Sequence, residues 1–176
     1  MEKKRKIEVF KYNENWTRKF REEVNSLKGI LGEIAVNFHH IGSTAIPGIK
    51  AKPIIDIVVE VRDLEAVDQL NKVFSEKGYI PLGENGIVGR RFFIKGSRVE
   101  RTHHIHIFLE ENQEVERHII FRDYMIAHPD EAEKYSKLKD ELAQKHTYDV
   151  EEYINGKNQF IRDIDEKAEK WWNERI

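Results

Sequence analysis

From Ile54 to Val61 the chain reads Ile-Ile-Asp-Ile-Val-Val-Glu-Val, a nearly continuous β-branched run broken by two acids. Such a run predicts a central strand buried on at least one face. Side chains alternate along a strand, so Ile54, Asp56, Val58 and Glu60 share one face and Ile55, Ile57, Val59 and Val61 the other. The wholly apolar face is expected to carry the helix-covered core. The opposite, more open face would then hold Asp56 and Glu60. A carboxylate in an apolar strand is costly to bury without a donor or a metal, which makes Asp56 a candidate catalytic and metal-ligating acid. The plain alternative is that Asp56 merely caps a neighbouring segment.

The residues leading into this strand sharpen the choice. A weakly alternating strand, AVNFHHI (35–41), runs into a Gly- and Pro-rich loop, GSTAIPGIKAKP (42–53). Small residues such as Gly42, Ser43 and Thr44 let backbone N–H groups approach a phosphate, and the two hydroxyls can donate as well. Lys50 and Lys52 add positive charge. An ordinary turn would use similar residues, so the loop counts chiefly through its position ahead of Asp56.

THHIHIFL (102–109) repeats the alternation: His103, Ile105, Ile107 and Leu109 face one way, and Thr102, His104, His106 and Phe108 the other. Two histidines at i and i+2 on a strand can share one metal ion or, protonated, bind phosphate. They can equally be surface or network histidines. RRFFIK (90–95) lies just upstream across GSRVER, so the two strands are expected to pair as a hairpin. If that hairpin lies beside the Asp56 strand, an Asp/His/His cluster forms on the open face. Arg90, Arg91, Arg98 and Arg101 could clamp an anion there, or only solvate an edge strand.

The remaining segments set the fold class. IEVFKY (7–12) reads as a short strand, and Trp16, Phe20, Val24, Leu27 and Leu31 mark an amphipathic helix over 14–31. Asp63 can cap a helix over 64–77, ended by Gly78. YIPL (79–82) starts another strand. Beyond residue 110 the chain turns helical, with helices over 114–127, 129–145 and about 150–174, the last capped by Asp149 with Glu152 in the capping-box place. Arg122 and Asp123 are adjacent and do not face each other on a helix, so no local salt bridge is expected. Tyr135 and Lys139 lie one turn apart, as do Tyr153 and Lys157; each pair could line a ligand groove or a solvated helix face. Trp171 and Trp172 are expected to anchor the last helix. An α+β domain spanning 1–176 follows, with a sheet-containing part over about 1–110 and a helical part over about 111–176.

Composition removes several function classes. With 30 Lys+Arg against 32 Asp+Glu, the net charge is -2, so nucleic acid is not the expected partner. No cysteine is present, so any metal must rest on Asp, Glu and His. No apolar run is long enough to span a membrane, and MEKKRKIEVF lacks the apolar core of a secretory leader, so a cytoplasmic location is expected.

Taken together, HIGSTAIPGIKAKPIIDI (40–57), THHIHIF, FRDYMIAHP (121–129), the Tyr135–Lys139 stretch and YINGKNQFI (153–161) resemble, in order, the motifs of the GrpB family. The resemblance runs from Tyr12 to about Trp172. It implies a fold similar to the polymerase-β type of nucleotidyltransferase: a mixed sheet with helices on one face, followed by a C-terminal helical segment. In that superfamily a Gly-Ser turn holds a triphosphate, and three strand carboxylates hold two magnesium ions. Gly42 and Ser43 match the turn and Asp56 the first acid. Val58 stands where the second acid belongs, and His104 or His106 where the third does. One carboxylate and two imidazoles suit a single divalent metal, magnesium, manganese or zinc, rather than a magnesium pair. Some family members look fused to dephospho-CoA kinase domains.

The expected partner is therefore a small phosphate-bearing ligand such as a nucleotide. Gly42, Ser43, Thr44, Lys52, Arg91, Tyr153 and Lys157 would surround it, and Asp56, His104 and His106 would hold the metal. Three activities fit: transfer of a nucleotidyl or phosphoryl group, non-catalytic binding as an accessory module, and metal-dependent phosphohydrolysis. The oligomeric state is not written in these motifs.

Overall fold

A computed structural model describes residues 4–175. Five strands form one mixed sheet: β1 (Ala35–Ile41), β2 (Ile55–Val61), β3 (Tyr79–Pro81), β4 (Arg91–Gly96) and β5 (Arg101–Leu109). Their order is β1-β2-β5-β4-β3. The expected hairpin forms, β4 antiparallel to β5, and β5 lies parallel to β2 at the sheet centre. A parallel neighbour requires a crossover, which the segment between β2 and β5 supplies.

The two sheet faces follow the alternation. Ile55, Ile57, Val59 and Val61 pack with Ile105 and Ile107 beneath α1 (Asn15–Leu31), α2 (Leu64–Asp68) and α3 (Asn71–Glu76). Trp16, Leu27, Leu31, Val67 and Phe74 complete this core, all at most 3% exposed. Each buried side chain of this size contributes about 1.5–3 kcal/mol of hydrophobic stabilisation. The other face carries Val58 and Phe108, covered with Ile41 by Val115 of α4 (Gln113–Ala127). Next to them, on the same face, lie Asp56, His104 and His106.

The C-terminal helices build a second layer. α5 (Pro129–Lys145) and α6 (Val150–Glu174) join α4 around Tyr124, Met125, Tyr135 and Ile164. Ile46 and Ile49, from the loop after β1, plug into this cluster. Apolar residues in that loop thereby tie it to the helices. Asp149 caps α6 by accepting from the Glu152 N–H at 3.1 Å. Trp171 packs on Tyr124 and His128, as an anchor should.

Three local expectations fail. Residues 7–12 form no strand; only a single bridge joins Phe10 to Ala51, because the segment runs along the loop 51–53 rather than beside a sheet edge. The helix over 64–77 breaks into α2 and α3 at Gln69–Leu70. Arg122 does bond Asp123, Nε to Oδ1 at 2.9 Å. Its long side chain folds along α4 while Nη1 donates to the His40 carbonyl at 3.0 Å. Among the described residues, no helix is long and apolar enough to cross a membrane.

Candidate functional site

Strand register places the first three groups. Asp56 is opposite His104, and Val58 opposite His106, in the parallel β2–β5 pair. Both imidazoles turn to one oxygen: His106 Nε2 is 3.1 Å and His104 Nδ1 3.4 Å from Asp56 Oδ1. Burial alone would raise the Asp56 pKa, but the hydrogen bonds from His104 and His106 outweigh it and hold the carboxyl well below the usual range. Burial, more than Asp56 offsets, lowers the His104 pKa.

The far nitrogens settle the tautomers. Arg90 Nη1 lies 3.2 Å from His106 Nδ1, and Arg101 Nη1 lies 3.4 Å from His104 Nε2. A guanidinium can only donate, so these nitrogens accept. The neutral rings therefore carry their protons on His106 Nε2 and His104 Nδ1; His106 donates to Asp56 Oδ1, and His104 Nδ1 faces the same oxygen. Arg90 is itself pinned, 7% exposed, by the Glu84 and Asn85 carbonyls at 3.1 and 2.8 Å.

This arrangement does not fit a metal held between Asp56, His104 and His106. A metal-bound histidine needs a bare nitrogen toward the ion and normally donates its other N–H to an acceptor. Here the nitrogens facing Asp56 bear the protons and the others face cations. Among the described residues, no group of three or more His, Asp or Glu side chains is placed to hold a metal ion.

The Gly-Ser turn closes directly over the acid. Gly42 has φ +72°, and a β-carbon there would stand 2.8 Å from Asp56 Oδ2. Only glycine permits this approach. Ser43 begins a 3-10 turn, and its hydroxyl reaches Tyr135 on α5. The Thr44 hydroxyl turns inward, 2.9 Å from His40 Nε2, and is 2% exposed. Thr44 therefore backs the turn rather than facing a ligand.

Three lysines complete the surroundings. Lys52 Nζ and Lys157 Nζ sit 5.1 and 4.8 Å from the ring centroid of Tyr153, and Lys139 Nζ sits 4.6 Å from that of Tyr135. Lys139 also donates to the Lys50 carbonyl. Among the described residues, none of the three forms an ion pair with a carboxylate. Burial, with repulsion from Lys157 and Arg5, brings the Lys52 pKa down to about 7 despite Asp56. Burial also lowers Lys157 and takes Lys139 well below the normal lysine range. The Tyr153 ring is fully buried, and its hydroxyl has no hydrogen-bond partner among the described residues. Only Asp56 opposes the mutual repulsion of Lys52 and Lys157, so a bound anion would favour the charged form of these lysines.

The structure thus brings Gly42, Ser43, Lys52, Asp56, His104, His106, Tyr153 and Lys157 to one region, with Thr44 behind the turn. Arg91 is not among them. It pairs with Ile107 on the helix-covered face and bonds Asp68, Nε at 2.6 Å and Nη2 at 3.2 Å. Its neighbour Arg90, just before the strand, reaches His106 instead. Glu60 is also occupied elsewhere, by His39 at 3.2 Å and Asn37 at 3.1 Å. The repeated Tyr-x-x-x-Lys spacing was the sequence signal for Tyr135 and Lys139.

The model of the GrpB protein family matches residues 6–167. YqkA of Bacillus subtilis is 48% identical over 96% of this chain, which spans 49% of that protein. The glutamate-rich protein GrpB of Alkalihalophilus pseudofirmus is 40% identical over 87% of this chain and 90% of its own length. A protein named dephospho-CoA kinase, from Mycolicibacterium paratuberculosis, is 29% identical over 89% of this chain and 44% of its own length. The crystal structure of conserved protein GrpB from Enterococcus faecalis superposes with a TM-score of 0.89 at 42% identity, covering 94% of this chain and 99% of that one.

Proposed function

The chain belongs to the GrpB family, and on that premise we propose that it binds a small phosphate-bearing molecule above Asp56 without needing a metal ion. The observation that carries this reading is the gathering of Lys52, Lys139 and Lys157 with no carboxylate partner. Lys52 and Lys157 contact the anion from the Tyr153 side. Lys139 lies deeper, donates to the Lys50 carbonyl and does not contact the anion. The Ser43 hydroxyl turns from Tyr135 to donate to the anion, and the Gly42 turn packs against the Asp56 carboxylate below it.

Asp56 has a different part from that of a metal-binding acid. Its Oδ1 is taken by both imidazoles, which leaves Oδ2 to accept from a ligand hydroxyl or amine. A carboxylate so stabilised is a weak base, which favours recognition over proton abstraction. The missing second acid at Val58 agrees with this. The non-catalytic binding reading therefore stands ahead of nucleotidyl or phosphoryl transfer, and of metal-dependent phosphohydrolysis. The name dephospho-CoA kinase, carried by a relative with a matching region, also points to phosphate-bearing ligands.

Calorimetric titration of pyrophosphate into chelator-treated protein tests the reading. Saturable binding is expected, weakened about tenfold or more, about 1.4 kcal/mol, by Lys157→Met. Absence of saturable binding in the millimolar range overturns it.

A further inference from the structure

A cavity of about 640 Å³ opens beside the lysine cluster, between the N-terminal segment and the β4–β5 hairpin. Lys52 and Arg101 line it and also belong to the surroundings of Asp56: Arg101 bonds His104, and Lys52 lies over Tyr153. Lys52 and Arg101 are thus shared between the cavity and the surroundings of the proposed anion position. Arg5 joins these two, and the cations of the lining, with Lys4 and Lys6, outnumber its two acids, Glu8 and Glu100.

The cavity has a second kind of lining. Phe10, Pro53, Val99 and Tyr148 present apolar surface to it. Phe10 is 48% and Tyr148 58% exposed, two of the few large apolar side chains left open to solvent. Exposed rings gathered beside cations are a recognition surface for a flat, partly apolar group attached to an anion. A bare inorganic anion would leave them without a role.

Resting on the anion-binding reading above, we propose that the ligand is an aromatic phosphate ester. Its phosphate sits between Lys52 and Lys157, and its flat ring lies against Phe10 and Tyr148. Bases stack on aromatic side chains in nucleic-acid complexes strongly enough that the ring should strengthen binding about tenfold. Lys4, also in the lining, would receive any further negative charge, whereas Lys6 is paired with Glu8 at 2.6 Å.

Adenosine 5′-monophosphate and ribose 5-phosphate differ only by the flat base. The test titrates both into the full chain and into Tyr148→Ala, whose exposed side chain can be removed without opening the core. The expected result is adenosine monophosphate binding about tenfold tighter than ribose phosphate, with Tyr148→Ala erasing most of that difference and leaving ribose phosphate unchanged. Equal affinities, or a difference that survives both Tyr148→Ala and Phe10→Ala, overturn the aromatic subsite while leaving the anion site standing. Failure of both ligands, and of pyrophosphate, overturns the two readings together.

Discussion

Gly42 presses against Asp56 so closely that a β-carbon on it would stand 2.8 Å from Oδ2. The backbone there has φ +72° and ψ -172°, a region essentially reserved for glycine. One residue thus links the turn to the acid.

Gly42→Ala should therefore damage both stability and binding. Backbone strain of about 1–3 kcal/mol is expected, plus displacement of the Asp56 carboxyl. Urea denaturation should show a lower midpoint with an unchanged slope, and pyrophosphate affinity should fall further than the stability loss explains. A variant with wild-type stability and affinity would mean the turn does not sit on the acid.

The arginine contacts fix the histidine tautomers, which nitrogen-15 spectroscopy of the imidazoles reads directly. At neutral pH, His106 should carry its proton on Nε2 and His104 on Nδ1. Arg90→Met should keep His106 on this tautomer, because the Asp56 carboxylate still requires Nε2 to donate; only loss of both partners, Arg90→Met with Asp56→Ala, should leave a mixture. The opposite tautomer at His106 in the wild type would remove the argument against a shared metal.

Anion binding should weaken as pH rises through about 7, where Lys52 loses its proton in the unliganded protein. The charged ammonium is the binding form, so affinity is greatest below that point and declines above it. Sulfate keeps its charge over this range and isolates the protein's contribution. Its affinity should drop between about pH 6 and 9, and Lys52→Met should flatten the profile. An affinity that rises with pH would contradict the assignment.

Much of this arrangement is legible before any coordinates. Alternation alone places Asp56 away from Ile55 and Ile57, and His104 and His106 away from Ile105. The hairpin signal then sets β4 beside β5. What alternation cannot give is the strand's first residue. Whether β4 starts at Arg90 or Arg91 decides which arginine reaches His106, and the strand begins at Arg91. The lysine cluster is likewise invisible locally, since Lys52, Lys139 and Lys157 come from a loop and two helices. Only tertiary packing of Ile46 and Ile49 against α4 and α5 brings them together. The segment over 7–12 misleads for a related reason: its apolar residues face other partners, with Ile7 packing beside Tyr153.

A lysine-built anion site over Asp56 should work without a metal. The most direct measurement is the dissociation constant of pyrophosphate in chelator, compared with its value when manganese or zinc is also held at a fixed free concentration over the protein. The account predicts saturable binding in chelator, with the protein itself taking up no stoichiometric metal in a titration without pyrophosphate. Binding that appears only after metal is added, together with one metal bound per chain and lost in Asp56→Ala, would contradict it.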